Sequence, residues 1–285
     1  MEYSNPELPE GINTSKSHPL KEFAILTFGL LGLIILVLTA TIVVVDNFAD
    51  KIPFEVEQKL PVTSLLNINN TERLPPYLNT LTRKVVNSVN LPVGMHITFH
   101  YVNDDTVNAF ATLGGNIVLY RGLIEKLQNE NELSMVIAHE IAHIKYRHPI
   151  LSTTHGIVVG IALTALSSTV GNSVVNSLIG STGDATLMRF SRDFEYQADR
   201  DAIKSLVALY GDAGGALGLF RILAQEDTKA SPFEFLATHP LTENRLQQAE
   251  KMNARLSTGH KNTVIEYPQD FRSWLTRQHS KSHDQ

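Results

Sequence analysis

The chain has 285 residues, of which 43% are hydrophobic and 19% are charged, so its composition excludes a globally disordered protein. The formal net charge of -5 and the lack of a dense Lys/Arg cluster argue against a nucleic-acid partner. With 0 cysteines, the sequence excludes disulfides, thiolate metal ligands and a cysteine nucleophile. A metal site in this chain would therefore need His, Asp and Glu side chains.

A run without charged residues extends from Phe23 to Val45. A helix needs about 20 apolar residues to cross roughly 30 Å of hydrocarbon, so the run predicts a transmembrane signal anchor after a flexible tail at 1–22. A cleaved signal peptide has a shorter apolar core, and a buried soluble helix normally shows a polar stripe. Both alternatives therefore fit less well.

The orientation of this anchor is weakly marked in the sequence. Lys16 and Lys21 precede it, and Lys51 and Lys59 follow it, so the positive-inside rule gives almost no bias. The short polar N-terminal tail and the large C-terminal domain favour a cytosolic N-terminus. We therefore expect the domain to face the non-cytosolic (periplasmic) side of the membrane.

The segment that follows the anchor carries weak helix and strand patterns. Residues 46–92 predict two short helices interrupted by prolines. The alternation in His96–Val102 predicts a strand, and Asn116–Tyr120 is a second short strand candidate that follows two glycines. A helix is expected from about Arg121. The charge-free stretch 149–183 is interpreted as a helical hairpin that is buried in the domain or touches the bilayer surface.

Further helices are expected near 190–210, 213–225 and 242–256, the last one capped by Thr242. The sequence thus predicts a domain at 46–258 that is mainly α with a small β-sheet. Residues 259–285 are interpreted as a C-terminal extension, and we expect its polar part from Gln278 to be disordered.

One helix carries the chemistry. Asn129 is its expected N-cap, with Glu132 as the capping-box partner, and Pro149 is expected to end it. His139 and His143 are one turn apart, so both imidazoles lie on the same face of this helix. Zinc accepts imidazole nitrogens, and three protein ligands leave a position for water.

Glu140 follows the first of these histidines directly. In a His-Glu-x-x-His segment this glutamate is placed to take a proton from water, whose pKa zinc lowers to about 7. The segment His139-Glu140-Ile141-Ala142-His143 therefore predicts a zinc-dependent endopeptidase with Glu140 as general base. A five-residue pattern also arises by chance, but a capped helix is the context that this motif requires.

Two acids downstream strengthen the metal hypothesis. Glu195 and Asp199 are four residues apart on a predicted helix, so their carboxylates share a face. Such a pair is unfavourable unless a cation lies near it. We expect Glu195 to be the third zinc ligand and Asp199 to accept an N–H from a ligand histidine. The alternative is a solvated acidic face paired with Arg192 and Arg200.

Taken in order, these motifs resemble the HtpX and CAAX prenyl protease family of membrane-associated zinc metallopeptidases (metallopeptidase family 48), a gluzincin group. The resemblance runs from about Asn108 to Arg245. It rests on these segments: Asn108-Ala109-Phe110-Ala111, Gly114-Gly115, Arg121-Gly122-Leu123, His139-Glu140-Ile141-Ala142-His143, Arg192 with Phe194, Glu195, Ala198 and Asp199, and Thr238-His239-Pro240.

The resemblance implies an α+β gluzincin-type domain with one Zn²⁺ per chain, and it implies roles for several residues. Zinc ligands are implied at His139, His143 and Glu195. His239 is implied to lie near the metal, either as a hydrogen-bond donor to the oxyanion or as a fourth zinc ligand in a resting state.

The resemblance also implies roles away from the metal. Arg245 would pair with buried carboxylates or hold the His239 loop. The segment Gly115, Asn116 and Ile117 would be a sheet edge to which a polypeptide substrate adds as an extended strand.

The function expected from these features is a membrane-anchored endopeptidase in protein quality control, acting on misfolded or membrane and envelope polypeptides. Residues 23–45 would contact the lipid bilayer. A chaperone-like or assembly factor that binds extended polypeptides in the same groove is the alternative, although a pure binder has no need of Glu140. Seven other histidines lack a partner at ligand spacing, and we expect surface or structural roles for them: His96, His100, His148, His155, His260, His279 and His283.

Overall fold

The computed structural model describes residues 18–48, 51–59, 71–154, 190–227, 234–240, 243–257 and 264–283. The chain divides into two compact units, Met1–Val44 and Val45–Gln285. Most of the expected N-terminal tail, most of the expected hairpin in 149–183, and Thr242 lie outside the described residues.

Most of the long helix α1 (Pro19–Phe48) lies in the first unit. Its part Pro19–Val45 is long and apolar enough to cross a membrane. At 1.5 Å per residue, a 30-residue helix is about 45 Å long, more than the roughly 30 Å of a bilayer core. The hydroxyls of Thr39 and Thr41 donate to the carbonyls of Ile35 and Val37, which satisfies both groups within the helix.

The second unit is mainly helical with a small sheet, which confirms the predicted fold class. Its helices are α2 (Phe54–Gln58), α3 (Pro76–Ser88), α4 (Arg121–Lys126), α5 (Glu130–Lys145), α6 (Arg192–Tyr210), α7 (Gly214–Asp227), α8 (Glu234–Thr238), α9 (Glu243–Leu256) and α10 (Gln269–His283). Residues 148–154 form a further helical segment. The strands are β1 (Thr71–Glu72), β2 (Thr98–Val102), β3 (Ala109–Thr112) and β4 (Asn116–Tyr120).

The sheet has the order β1-β2-β4-β3. Strand β4 is parallel to β2 and antiparallel to β3, so it is paired on both sides. The expectation that Gly115, Asn116 and Ile117 form a sheet edge is therefore wrong. Strand β3 folds back on β4 through a turn in which Gly114 and Gly115 have φ of 72° and 80°, and within the described residues β3 is one edge of the sheet and β1 is the other.

Helix α5 runs through the centre of the second unit, and every residue from Glu130 to Ile144 is buried. The predicted N-cap is confirmed, because the Asn129 side chain accepts the Glu132 N–H at 3.0 Å. The Glu132 carboxylate accepts from the Gln128 N–H at 2.6 Å, one residue before the position a capping box uses.

Helix α5 ends earlier than Pro149. Its last residue is Lys145, and Arg147 then adopts a left-handed conformation with φ of 62°. Pro149 lies near the start of the helical segment 148–154, where its missing N–H costs nothing. Helix α5 therefore ends in a turn directly after the two histidines of the motif.

The C-terminal helix α10 belongs to the core of the second unit. Phe271 and Leu275 are buried in the main hydrophobic cluster, and the Trp274 ring lies 5.1 Å from that of Tyr101. Gln278 is buried, and its side-chain oxygen accepts from Asn103 at 3.2 Å. The expected disorder from Gln278 is therefore wrong, since α10 continues to His283.

Candidate metal centre

Two helices, together with the residue that follows a third, bring four ligand side chains together. His139 and His143 come from α5, Glu195 comes from α6, and His239 follows the C-terminus of α8. All four are buried, and their ligand atoms lie within 4.8 Å of one another. Because α5 packs directly against α6, the spacing of each motif along its own helix is converted into one cluster.

The distances in this cluster suit a small tetrahedral ion. The Nε2 atoms of His139 and His143 are 3.0 Å apart, and each lies 3.4 Å from one carboxylate oxygen of Glu195. Zinc bonds of about 2.0–2.1 Å place the ligand atoms of a tetrahedron about 3.4 Å apart. The nitrogen and oxygen donors and their separations therefore fit Zn²⁺.

His239 presents its two ring nitrogens to different groups. Its Nδ1 lies 3.3 Å from His139 Nε2 and 3.0 Å from Glu195 Oε1, while its Nε2 lies 3.4 Å from Glu140 Oε1. The ring stacks on Phe235, which holds it in the cluster. The structure thus places Nδ1 where a fourth ligand atom would lie.

Glu140 lies beside this cluster and is fully buried. Among the described residues, neither of its carboxylate oxygens makes a hydrogen bond of normal geometry. Burial raises the pKa of Glu140 above its ordinary value, although the charges of His239 and His139 oppose the shift. A buried carboxylate with a raised pKa and few donors is suited to accept and release a proton.

His139 is held by a charged pair of side chains. Its Nδ1 lies 3.0 Å from Asp199 Oδ1, and Arg245 donates to both oxygens of Asp199 at 2.7 and 2.9 Å. Arg245 also lies 2.8 Å from Glu195 Oε2 and donates to the Pro240 carbonyl at 2.9 Å. A carboxylate at Nδ1 keeps the proton there and leaves Nε2 free for a metal.

The buried charges around His139 stabilise one another, as the pKa shifts of the groups show. Burial alone would raise the pKa of Glu195, but the charges of His239 and Arg245 outweigh it and hold that pKa well below the ordinary value. The pKa of Asp199 is likewise lowered, because Arg245 and His139 outweigh burial. Burial opposes the charged form of His139, yet Glu195 and Asp199 raise its pKa to about 10.

His143 has a neutral partner, His148, for which sequence reasoning expected a surface or structural role. The two Nδ1 atoms lie 2.9 Å apart, and His148 Nε2 lies 3.0 Å from Gln197 Oε1. Burial lowers the pKa of His148 to about 4, although Gln197 opposes the shift. Ligand spacing gave no signal for this contact, because the contact depends on the left-handed conformation at Arg147.

The buried charges also fit a divalent cation. Glu140, Glu195 and Asp199 are three buried carboxylates, and Arg245 is the buried cation that pairs with two of them. With all three carboxylates ionised, a net charge of minus two remains, which one divalent ion neutralises. The chemistry of the residues present therefore agrees with their geometry.

The residues expected to bind substrate lie outside this cluster. Ile117 is fully buried in the hydrophobic core, and the Asn116 side chain donates to the Leu113 carbonyl. Gly115 lies in the turn before β4, where an added Cβ would come within 2.1 Å of the His96 carbonyl oxygen. Strand β3, by contrast, packs against α5.

A second group of ligand-type side chains, Asp105, Glu125 and His279, is exposed. It surrounds the buried guanidinium of Arg121, which pairs with both Asp105 and Glu125. The carboxylates of this group are therefore already paired with a cation, the Arg121 guanidinium.

A buried His-Glu-x-x-His helix, completed by a glutamate from a second helix, defines a metallopeptidase site of the gluzincin class. A model of Peptidase family M48 matches residues 72–253, which is more than half of the chain. The chain therefore belongs to this family of zinc metallopeptidases, as the order of its motifs predicted.

Curated relatives agree with this assignment. The chain is 34% identical to a beta-barrel assembly-enhancing protease of Yersinia pestis over 62% of the chain and 38% of the relative. It is 30% identical to that of Escherichia coli K12, over 71% and 42%, respectively. It is 28% identical to the mitochondrial metalloendopeptidase OMA1 of Schizosaccharomyces pombe, over 53% and 45%. The chain thus spans less than half the length of these relatives.

Proposed function

We propose that the chain is a membrane-anchored, zinc-dependent metalloendopeptidase. The observation that carries this proposal is the buried cluster of His139, His143, Glu195 and His239 with the Glu140 carboxylate beside it. Membership of a metallopeptidase family supports the same conclusion. In this proposal His139, His143 and Glu195 hold one Zn²⁺ per chain.

The side chains around the metal perform the proton chemistry. Bound Zn²⁺ supplies Lewis acidity, which polarises a carbonyl and lowers the pKa of water. Glu140 takes the proton from the attacking water and returns it to the nitrogen of the leaving amine. Its raised pKa suits this double role, because a carboxyl group with a higher pKa retains the proton between the two steps.

His239 has two possible roles, and its position supports one of them in the arrangement described here. Its Nδ1 lies 3.3 Å from His139 Nε2 and 3.0 Å from Glu195 Oε1. Two ligand atoms of the same ion are separated by about this much, which supports His239 as a fourth ligand in a resting state. The alternative role is a hydrogen-bond donor to the oxyanion, and it needs the ring to leave that position. Arg245, which donates to the His239 carbonyl at 3.3 Å, holds the loop that would move.

An extended substrate would add to the edge strand β3. The Tyr120 N–H donates to the Asn108 carbonyl, so the residues that alternate with Asn108, namely Ala109 and Ala111, direct their backbone groups away from β4. The Ala111 N–H on this side lies close to Glu140 and opposes the rise in its pKa. A substrate strand paired with β3 would therefore pass beside the general base.

Protein quality control at the membrane is the role that we propose. Two relatives are named beta-barrel assembly-enhancing proteases, which supports misfolded or envelope polypeptides as substrates. Helix α1 supports an anchor in the bilayer. The proposed periplasmic position of the catalytic domain rests on the short polar N-terminal tail and the large C-terminal domain. The Glu140 carboxylate favours a peptidase over a chaperone-like binder, which has no use for a buried base.

The test compares casein digestion by the full chain in detergent with digestion by Glu140→Gln, each with and without a chelator. We expect the substitution to lower the rate at least about 100-fold, because general-base catalysis contributes that much or more. Glu250→Gln, an exposed glutamate on α9, is the matched control and should cleave like the wild type. Equal cleavage by Glu140→Gln and the wild type would refute the mechanism.

The orientation is tested separately in spheroplasts. Protease added to intact spheroplasts should digest the large domain, since the periplasmic face is then accessible. If the domain is digested only after lysis, it faces the cytosol instead.

A further inference from the structure

In the described part of the chain, one buried histidine that is not a candidate ligand, His148, is in direct contact with a ligand histidine, His143. We propose that His148 is a positioning residue that accepts the Nδ1 proton of His143 and thereby orients His143 Nε2 toward the metal. This inference rests on the proposed zinc site, because only a ligand needs its ring nitrogens assigned in this way.

The hydrogen-bond partners determine where the protons lie. His143 Nε2 points into the cluster, 3.0 Å from His139 Nε2, so in a metal ligand it must be unprotonated and Nδ1 must carry the proton. That proton needs an acceptor, and His148 Nδ1 lies 2.9 Å away. His148 then carries its own proton on Nε2, where Gln197 Oε1 accepts it at 3.0 Å. The relay is complete without a charged group.

The surroundings of His148 hold its ring in one orientation. The ring stacks on Phe194 with 4.1 Å between centroids and 7° between planes. His143 is itself stacked on Phe190, with 3.9 Å between centroids and 18° between planes. Both imidazoles are thus fixed by an aromatic ring on one side and by hydrogen bonds at their nitrogens.

Residues far away in sequence also fix the backbone conformation just before His148. Arg147 adopts φ of 62°, and its guanidinium donates to the Ile52 carbonyl at 2.8 Å and pairs with Glu57. Glu57 is buried and also accepts the Gly114 N–H at 3.2 Å. The unusual backbone conformation that places His148 against His143 is therefore secured by α2 and by the turn before β4.

Three variants of the full chain separate positioning from packing. His148→Phe keeps a flat ring against Phe194 but removes the acceptor. His148→Asn places an amide oxygen close to the former Nδ1 position and restores an acceptor. Tyr210→Phe is the matched control, because it removes hydrogen bonds to Ser134 and Glu130 near the N-terminus of α5, far from His143 on the same helix.

The readouts are the Zn²⁺ dissociation constant, from competition with a chelator, and the visible spectrum of the Co²⁺-substituted protein. We expect His148→Phe to weaken Zn²⁺ binding about 10–100-fold and to shift the Co²⁺ bands, as loss of such partners does elsewhere. His148→Asn should recover most of the affinity, and Tyr210→Phe should bind Zn²⁺ like the wild type.

The failures of the two proposals are distinguishable. If the wild type binds no Zn²⁺, the proposed function fails and this inference falls with it. If the wild type binds Zn²⁺ and His148→Phe binds it equally tightly with an unchanged Co²⁺ spectrum, this inference alone is overturned. Equal weakening by His148→Phe, His148→Asn and Tyr210→Phe would also overturn it, because packing would then explain the loss.

Discussion

The two histidines of the motif lie one turn apart on α5, yet they are supported in different ways. The Nδ1 of His139 faces the carboxylate of Asp199, which pairs with Arg245. The Nδ1 of His143 faces a neutral imidazole, His148. The support of His139 is charged, and its two residues, Asp199 and Arg245, lie on α6 and α9. The support of His143 is neutral, and its residue, His148, lies shortly after the end of α5.

The charges of the centre offer a physical reason for this difference. Glu140, Glu195, Asp199 and Arg245, when ionised, leave a net charge of minus two, which a divalent ion neutralises. A second carboxylate behind His143 would leave one buried negative charge without compensation, which is strongly unfavourable. A neutral acceptor supplies the hydrogen bond that His143 needs without adding to the charge.

The largest expected effect comes from breaking the charged support. Arg245→Met leaves the buried carboxylates of Asp199 and Glu195 without their cation, so we expect a loss of about 3–5 kcal/mol in the free energy of unfolding. Because Zn²⁺ would offset the charge of Glu195, the loss should be larger in chelator than with Zn²⁺. Urea unfolding under both conditions measures it, and a change below about 1 kcal/mol in chelator would show that Arg245 does not compensate these charges.

A milder change removes the charge behind His139 but keeps the shape of the side chain. Asp199→Asn retains an acceptor for His139 but removes the charge, and charge-assisted hydrogen bonds are roughly twice as strong as neutral ones. We expect Zn²⁺ affinity to fall about 10–100-fold, the range for such partners. Chelator competition measures this, and unchanged affinity would mean that the charge behind His139 is irrelevant to metal binding.

The corresponding change to the neutral support should have a smaller effect. Gln197→Leu removes the group that accepts the His148 Nε2 proton, one step further from His143. Since His148 itself remains, we expect Zn²⁺ affinity to fall less than about 10-fold. The same competition assay decides this. A loss as great as that of Asp199→Asn would show that the two supports do not differ in strength.

A carboxylate at the other end of α5 shows how such a group behaves away from the metal. Burial would raise the pKa of Glu130, but hydrogen bonds from Lys84, Tyr77 and Tyr210 outweigh it and lower that pKa. Because the folded-state pKa lies below the ordinary value, Glu130 stabilises the fold fully above about pH 4.3. This stabilisation is lost as the pH falls through the lowered pKa.

Metal-free protein tests this dependence without interference from Zn²⁺. We expect Glu130→Gln to cost about 1 kcal/mol at pH 7 and progressively less as the pH falls below 4.3, as judged by urea unfolding across this range. A cost that is independent of pH would show that ionisation of Glu130 does not contribute.

The supports differ in how well the sequence revealed them. The spacing of His139 and His143 placed both rings on one face of a helix, and the four-residue spacing of Glu195 and Asp199 did the same for the carboxylates. Helical periodicity is local, so these positions follow from the chain itself. His148 could not be found in this way, because its contact depends on the left-handed conformation at Arg147.

The sheet and the C-terminus illustrate the same limit. Asn116–Tyr120 was correctly predicted as a strand, but the strand pairing that puts β4 inside the sheet is non-local. The polar composition after Gln278 suggested disorder, whereas α10 is held by residues far away in sequence, such as Tyr101 and Asn103. Patterns along the chain predicted the helices and strands. Contacts between these elements determined which strand lies at the edge of the sheet and whether the C-terminal segment is ordered.

The most direct measurement is the zinc content of the purified wild type beside that of Glu195→Ala. A centre built from two helices requires the carboxylate of α6 to complete the ligands of α5. We therefore predict one Zn²⁺ per wild-type chain and little or none in the variant after dialysis. Undiminished zinc in Glu195→Ala, or none in the wild type, would contradict the centre described here.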